Sequence, residues 1–185
     1  MSQPLAGNLR LSAQARPIPN GRVESGTLSF DGHATVGDFV GSTQTVTGQI
    51  TGAADVSAVQ GWVEAPVRTL KTGNGKRDKD LNKSMESGKY PNIRFELSGI
   101  TPTGGPTDSV AVVLHGALII HGVTRKTDLR GTIRFEGSRA RVRTDFPLRL
   151  PDYRIGGLSK MLGVLKMYND IEVHVDLVFG LDSSK

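Results

Sequence analysis

Three segments in the C-terminal half of the chain alternate apolar and polar residues, at 128–136, 139–150 and 170–179. Successive side chains of a β-strand point to opposite faces, so each segment predicts a strand with one apolar and one solvated row. Several such strands must bury their apolar rows together, which favours a sandwich or a closed barrel. A barrel that its own side chains do not fill would enclose a pocket for an apolar molecule.

The N-terminal half predicts further strands near 22–30, 34–39, 43–51, 59–68 and 93–97, and a short helix within 71–88. The run from Val110 to Ile120 is apolar on both sides and predicts the most deeply buried strand. The segment 156–168 is apolar without strand alternation and predicts a loop. We therefore expect an N-terminal extended arm at 1–20, one β-barrel domain at 21–180 and a short tail at 181–185.

Composition adds little to this prediction. The 23 glycines and nine prolines are typical of many strands joined by turns, and the absence of cysteine excludes disulfides and thiolate chemistry. The net charge of +5 falls largely on outward strand positions such as Arg139, Arg141 and Arg143, which favours a solvated face over a patch that binds an anionic surface or nucleic acid. No stretch predicts a signal peptide or a transmembrane segment. We expect a periplasmic or secreted protein if a leader has been removed, and otherwise a cytoplasmic one.

Several short motifs are specific enough to suggest a family. They are Thr72-Gly73-Asn74, Arg77-Asp78 with Leu81, Tyr90-Pro91 with Ile93 and Phe95, the run 116–124 (GALIIHGVT), Asp152-Tyr153-Arg154-Ile155 and Asp170-Ile171-Glu172-Val173. In this order they resemble the YceI-like family, the bacterial lipocalin-like polyisoprenoid-binding proteins, over about residues 21–179. The resemblance implies an eight-stranded antiparallel barrel. With the short helix and the apolar loop read from the residues, we expect an all-β, lipocalin-like barrel with a short helix and an apolar lid loop, although Leu158–Met167 could equally pack as ordinary core against the barrel end.

The resemblance also implies an apolar tunnel that holds an isoprenoid quinone or another long-chain lipid, and many family members are exported to the periplasm. The sequence departs from the family pattern on the helix. Asp80 stands where the family has a histidine, and Met85-Glu86 replaces a pair of phenylalanines. These departures concern the ligand rather than the fold.

The apolar rows supply the candidate ligand-binding residues. The predicted walls of the tunnel are Val63, Val67, Phe95, Leu97, Leu118, Ile120, Ile133, Phe135, Val142, Phe146, Leu148, Val173 and Val175. The predicted mouth is formed by Leu81, Met85, Tyr153, Leu158, Met161 and Leu162. A β-bulge would reverse the inward row locally.

Arg77, Asp78 and Asp80 are candidate contacts for a polar head group, since a guanidinium offers a planar fork to phosphate or carbonyl oxygens. The alternative is structural, with Asp78 capping the helix and Arg77 paired to a carboxylate, and we favour it. The four histidines are separated in a way that makes a metal site improbable, and no cofactor is expected.

We therefore expect non-catalytic binding, transport or sequestration of a long-chain isoprenoid or fatty-acyl lipid, with a homodimer possible and no nucleic-acid partner. No complete catalytic motif is present. Two alternatives remain: a packed barrel that binds an acidic partner through its basic outer strands, and an enzyme that acts on a tunnel-bound lipid through Arg77, Asp78, Asp80 and Tyr153.

Overall fold

The computed structural model describes residues 17–106, 108–156 and 167–183. Its strands and one α-helix follow in chain order: β1 (Gly21–Ala34), β2 (Gly37–Thr43), β3 (Thr47–Thr51), β4 (Gln60–Pro66), α1 (Gly75–Ser84), β5 (Asn92–Gly104), β6 (Ser109–Ile120), β7 (Val123–Glu136), β8 (Arg139–Arg149) and β9 (Asp170–Leu181). Short 3-10 turns lie at Val56–Ala58, Val67–Thr69 and Leu150–Tyr153. The predicted apolar lid loop lies largely outside the described residues.

The sheet closes on itself through the long strand β1. Its residues Gly21–Asp31 pair antiparallel with β9, while its other edge pairs with β3 at Gly21–Arg22 and with β2 at Leu28–Ala34. The strands β2 and β3 therefore occupy successive parts of one position, and the nine strands form a closed eight-stranded antiparallel barrel. Closure removes the exposed sheet edges, and it confirms the predicted barrel.

The inward rows largely follow the alternation. On β8, Ala140, Thr144 and Leu148 are buried while the arginines between them are exposed. On β5 a shift of register between Leu97 and Gly99 moves the inward row by one residue. The prediction that β6 is buried on both faces is wrong. Its even-numbered row contains all of its buried residues and its odd-numbered row is half-buried, because the odd-numbered row faces outward.

Two packed clusters mark the two ends of the barrel. Leu70, Leu81, Met85 and Leu150 belong to the cluster at the end covered by α1, which we call the helix end. The opposite end, which we call the arm end, contains Ile18, which forms a backbone bridge with Ala53 and is buried. The interior therefore extends between a helix at one end and the entering N-terminal chain at the other.

Two glycines in hairpin turns have left-handed backbones but different surroundings. Gly122, between β6 and β7, has φ of +72°, and a Cβ there would come within 2.5 Å of the Tyr90 ring. Gly137, between β7 and β8, has φ of +59° and no atom within 4 Å of such a Cβ. The first turn thus requires glycine for both conformation and space.

We expect Gly137→Ala to reduce the free energy of unfolding by about 1 kcal/mol, because an L-residue is disfavoured in this conformation. Gly122→Ala should cost roughly 1 to 2 kcal/mol more, because the Tyr90 ring must also move. Urea unfolding of the two variants measures the difference. Equal losses of unfolding free energy would show that the Tyr90 ring moves aside without an energetic penalty.

The seam between the first and last strands carries a charged cluster on the outer wall. His174 of β9 lies 2.9 Å from Asp31 of β1 and 2.5 Å from Asp145 of β8. Hydrogen bonds to Asp31 and then to Asp145 raise the pKa of His174, although desolvation opposes them. One imidazolium therefore links three neighbouring strands where the barrel closes.

A raised folded-state pKa means that His174 stabilises the fold fully below its unfolded pKa of about 6.5. This stabilisation should disappear as the pH rises through the folded-state value. We expect the urea midpoint of the wild type to decrease as the pH rises from the unfolded-state pKa of His174 through its folded-state pKa. The variant His174→Gln should lack this pH dependence, and parallel pH profiles would contradict the assignment.

Candidate functional site

The barrel encloses a cavity of about 220 Å³ whose lining is almost entirely apolar. Lining residues come from both ends, with Ile18 and Phe179 at the arm end and Leu81, Met85 and Met167 at the helix end. On β8 the inward row from Ala140 to Leu148 borders it, which spans about 27 Å along the strand at roughly 3.4 Å per residue. The cavity is therefore elongated along the barrel.

All predicted wall residues except Val67 line this cavity, as do the predicted mouth residues Leu81 and Met85. Val67 and Tyr153 are instead buried in the cluster packed at the helix end and lie outside the lining. The remaining mouth residues, Leu158, Met161 and Leu162, lie outside the described residues.

Some lining residues were missed by the sequence analysis. Leu129, Leu177 and Phe179 lie on inward rows whose alternation would have identified them. Ile18 also lines the cavity, but it lies in the entering arm, where no periodic pattern marks it. Its inward position depends on the bridge to Ala53, a contact between residues 35 positions apart (53 − 18).

Two phenylalanines lie where the two apolar clusters meet. Phe95 of β5 and Phe146 of β8 each pack against both the helix-end and the arm-end clusters. Both residues also line the cavity. Two aromatic rings therefore border the elongated interior near its middle, between the two ends.

The buried polar group Thr144 on the lining is satisfied within the barrel wall. It is 4% exposed, and its hydroxyl donates a hydrogen bond to the Arg130 carbonyl at 2.8 Å. The hydroxyl donor of Thr144 is therefore already paired with a protein acceptor. The described interior selects for apolar area rather than for a particular polar group.

The Thr72-Gly73-Asn74 motif begins the helix. The Asn74 side chain accepts a hydrogen bond from the Arg77 backbone N–H at 3.0 Å, so Asn74, not Asp78, is the N-cap. Asp78 accepts hydrogen bonds from the Thr72 hydroxyl at 2.7 Å and from its N–H at 2.9 Å. Burial opposes the ionisation of Asp78, but the Thr72 hydrogen bonds and the positive charges of Lys71 and Arg77 lower its pKa.

The other candidate head-group residues are placed differently. The Arg77 guanidinium lies 4.1 Å from the centre of the Phe39 ring, so it stacks α1 on β2 rather than pairing with a carboxylate. Asp80 is half-buried, and its Oδ2 has no hydrogen-bond partner in the described chain. Arg77 and Asp78 thus have structural contacts, while Asp80 remains a candidate.

The remaining family motifs also meet at the helix end. His121 lies 3.0 Å from the Tyr153 carbonyl oxygen through Nδ1 and 2.5 Å from Glu86 Oε2 through Nε2. Its ring packs edge-on against Tyr90, with centroids 5.0 Å apart. One side chain therefore joins the end of α1, the β6–β7 turn and the 3-10 turn at Leu150–Tyr153.

Tyr153 is buried in the helix-end cluster and does not line the cavity. Burial raises the pKa of its phenol, and a hydrogen bond with Thr127 together with the charge of Arg125 offsets only part of this effect. Among the described residues, no group of three or more His, Cys, Asp or Glu side chains is arranged to hold a metal ion. No helix in the described ranges has the length and apolarity needed to cross a membrane.

A closed antiparallel barrel around an elongated apolar cavity, capped by one helix, defines a class of small ligand-cavity barrels. Within this class the chain belongs to the YceI-like domain family, whose model matches residues 23–179. No curated protein matches the sequence.

Solved structures support the fold at low sequence identity. A polyisoprenoid binding domain from Saccharophagus degradans has a TM-score of 0.74 at 14% identity, covering 89% of this chain and 99% of that one. BcnA from Burkholderia cenocepacia has a TM-score of 0.71 at 16% identity, covering 83% and 95%. A YceI protein from Campylobacter jejuni has a TM-score of 0.52 at 16% identity, covering 68% and 73%.

The helix-start contact can be tested by a double-mutant cycle. We expect Thr72→Ala and Asp78→Ala to show a coupling of about 1 to 2 kcal/mol in the free energy of unfolding, because a hydroxyl donates to a carboxylate. The control cycle pairs Thr72→Ala with Asp80→Ala and should be additive within about 0.5 kcal/mol. Additivity in both cycles would contradict the structural role of Asp78.

Proposed function

We propose that this protein binds a long-chain apolar ligand inside its barrel and carries or sequesters it without catalysis. The ligand class is a polyisoprenoid, such as an isoprenoid quinone, with fatty-acyl lipids as the alternative. The observation that carries the proposal is the elongated cavity, whose inward rows present aliphatic and phenyl side chains from one end of the barrel to the other.

Burial supplies the binding energy. Transfer of a methylene from water to an apolar interior yields roughly 0.8 kcal/mol. A chain of ten methylenes would therefore gain several kcal/mol after the entropy of association is subtracted. Family membership and the polyisoprenoid binding domain of Saccharophagus degradans support an isoprenoid over other apolar molecules.

The polar residues at the helix end favour a carrier over an enzyme. Arg77 stacks on Phe39, Asp78 accepts two hydrogen bonds from Thr72, and the Tyr153 phenol interacts with Thr127. These contacts engage three of the four residues that we considered for catalysis. A carrier needs no such group, because shape and apolar area select its ligand.

Native mass spectrometry of freshly purified protein, followed by organic extraction, tests the proposal directly. We expect a discrete added mass that extracts as an isoprenoid lipid, and an extracted fatty-acyl lipid would support the alternative ligand. A bare protein mass that persists after incubation with quinone, isoprenoid and fatty-acyl lipids would overturn the proposal and favour the packed interaction module.

A matched pair of substitutions on β9 separates cavity from surface. Val175 faces the cavity, whereas Val178 lies on the outward row of the same strand. We expect Val175→Trp to reduce lipid occupancy at least about tenfold, because an indole occupies much of the cavity. Val178→Trp should leave occupancy close to the wild-type value.

Circular dichroism and urea unfolding check that both tryptophan variants fold. Folded protein with full lipid occupancy in both variants would place the ligand elsewhere. A loss of occupancy in Val178→Trp alone would likewise contradict the assignment of the inward row.

A further inference from the structure

We propose that the helix end of the barrel carries a docking surface for anionic lipid bilayers. The surface consists of exposed apolar residues on the β1–β2 hairpin and at Tyr168, beside the lysines of α1 and the segment that leads to it. The inference rests on the proposed function, because it identifies the source of the ligand, and it adds a partner with its own contacts.

The most exposed large apolar side chains of the described chain belong to this end. Val36 is 68% exposed, Tyr168 is 57% exposed and Val40 is 56% exposed. Val36 lies in the turn of the β1–β2 hairpin, and Val40 follows on β2. Tyr168 is held beside the hairpin because its N–H donates to the His33 carbonyl at 2.8 Å. A tyrosine with an apolar ring and a wet hydroxyl suits a membrane interface.

Positive charge lies next to these apolar residues. Lys71 forms a backbone bridge with Ser42 of β2, and the stacking of Arg77 on Phe39 fixes the start of α1 against the same strand. Lys71, Lys76 and Lys79 are exposed, and no salt bridge joins them to another residue in the described ranges.

Two of the acidic groups nearest these lysines have partners within the chain. Asp38 lies 2.8 Å from His33, and Asp78 is bound by Thr72. Asp80 has one buried carboxylate oxygen. On the outer wall, in contrast, arginines pair with acids, as Arg141 and Arg143 do with Asp176. The exposed lysines at the helix end therefore leave positive charge available to a negative surface.

The same end adjoins the cavity. Met167 bridges to Ala34 at the end of β1 and lines the cavity, while its neighbour Tyr168 is exposed. Leu81 and Met85 of α1 line the cavity from the helix side. Chain segments that face the interior thus continue directly into the exposed patch, and a bilayer bound there would lie beside the cavity end.

Isolated exposed apolar residues are common on soluble proteins. Their position beside unpaired lysines distinguishes this patch, because insertion of apolar side chains and attraction to anionic head groups reinforce each other. An acidic protein surface would pair with the lysines, but it would leave the exposed side chains of Val36 and Tyr168 without an apolar environment. An anionic bilayer provides negative head groups for the lysines and an apolar interior for the exposed side chains.

Vesicle flotation with the full chain tests the surface. We expect wild-type protein to float with phosphatidylcholine vesicles that contain phosphatidylglycerol, and to bind pure phosphatidylcholine vesicles at least about tenfold more weakly. Val36→Asp and the double variant Lys76→Glu/Lys79→Glu should each reduce binding by about tenfold. Raised salt should weaken binding of the wild type.

Matched controls place the same changes elsewhere. Ser138→Asp puts an aspartate in the β7–β8 hairpin turn at the arm end, and Arg130→Glu/Arg134→Glu reverses two charges on the outer wall of β7. Both controls should bind within about twofold of the wild type. Equal losses in controls and test variants, or no flotation of the wild type, would overturn the docking surface.

A second measurement separates this inference from the proposed function. Lipid delivered from cyclodextrin rather than from vesicles should fill Val36→Asp as fully as the wild type, as seen by native mass spectrometry. Failure of both proteins to take up lipid while the wild type still floats would overturn the proposed function alone. Failure of Val36→Asp alone to fill from cyclodextrin would contradict a role restricted to docking.

Discussion

The pairing of β1 with β9 is the constraint on which the rest of this structure depends. Each strand carries an apolar row that an open sheet would leave in contact with water. Closure turns these rows toward one another and removes the sheet edges at once. The pairing extends from Gly21 to Asp31, and on the outer wall His174 of β9 contacts Asp31 of β1 across the seam and Asp145 of the neighbouring strand β8. The interior, its cavity and the two covered ends all follow from this closure.

The short motifs from which the sequence analysis suggested the family meet at one place in the fold. Asn74 and Thr72 organise the start of α1, Arg77 stacks the helix on β2, and His121 connects Glu86 to the Tyr153 carbonyl. These residues fix the cover of the barrel. The inward rows, by comparison, require only apolar residues that fill space, and many sequences satisfy that requirement.

The interior and the helix end have complementary chemistry. The cavity offers apolar contact with little polar selection, so its shape and length govern what fits. The helix end combines an apolar rim with exposed lysines, while the outer wall pairs its arginines with acids. In the two proposals, ligand retention and bilayer contact therefore depend on different residues, so each can be tested separately.

The sequence alone determined the class of fold and most of the cavity wall, because strand alternation assigns each residue to one face of the sheet. Phe146 and Val175 were placed correctly by this local rule. Tertiary structure decided what depends on distant contacts. It placed Ile18 in the lining through Ala53, and it put Val67 and Tyr153 in the packed cluster beside the cavity. It also brought the Asp78 carboxylate to the Thr72 hydroxyl, which donates a hydrogen bond to it, and the Arg77 guanidinium onto the Phe39 ring. Local periodicity specifies a face, whereas a partner is specified only when closure of the barrel brings separate segments together.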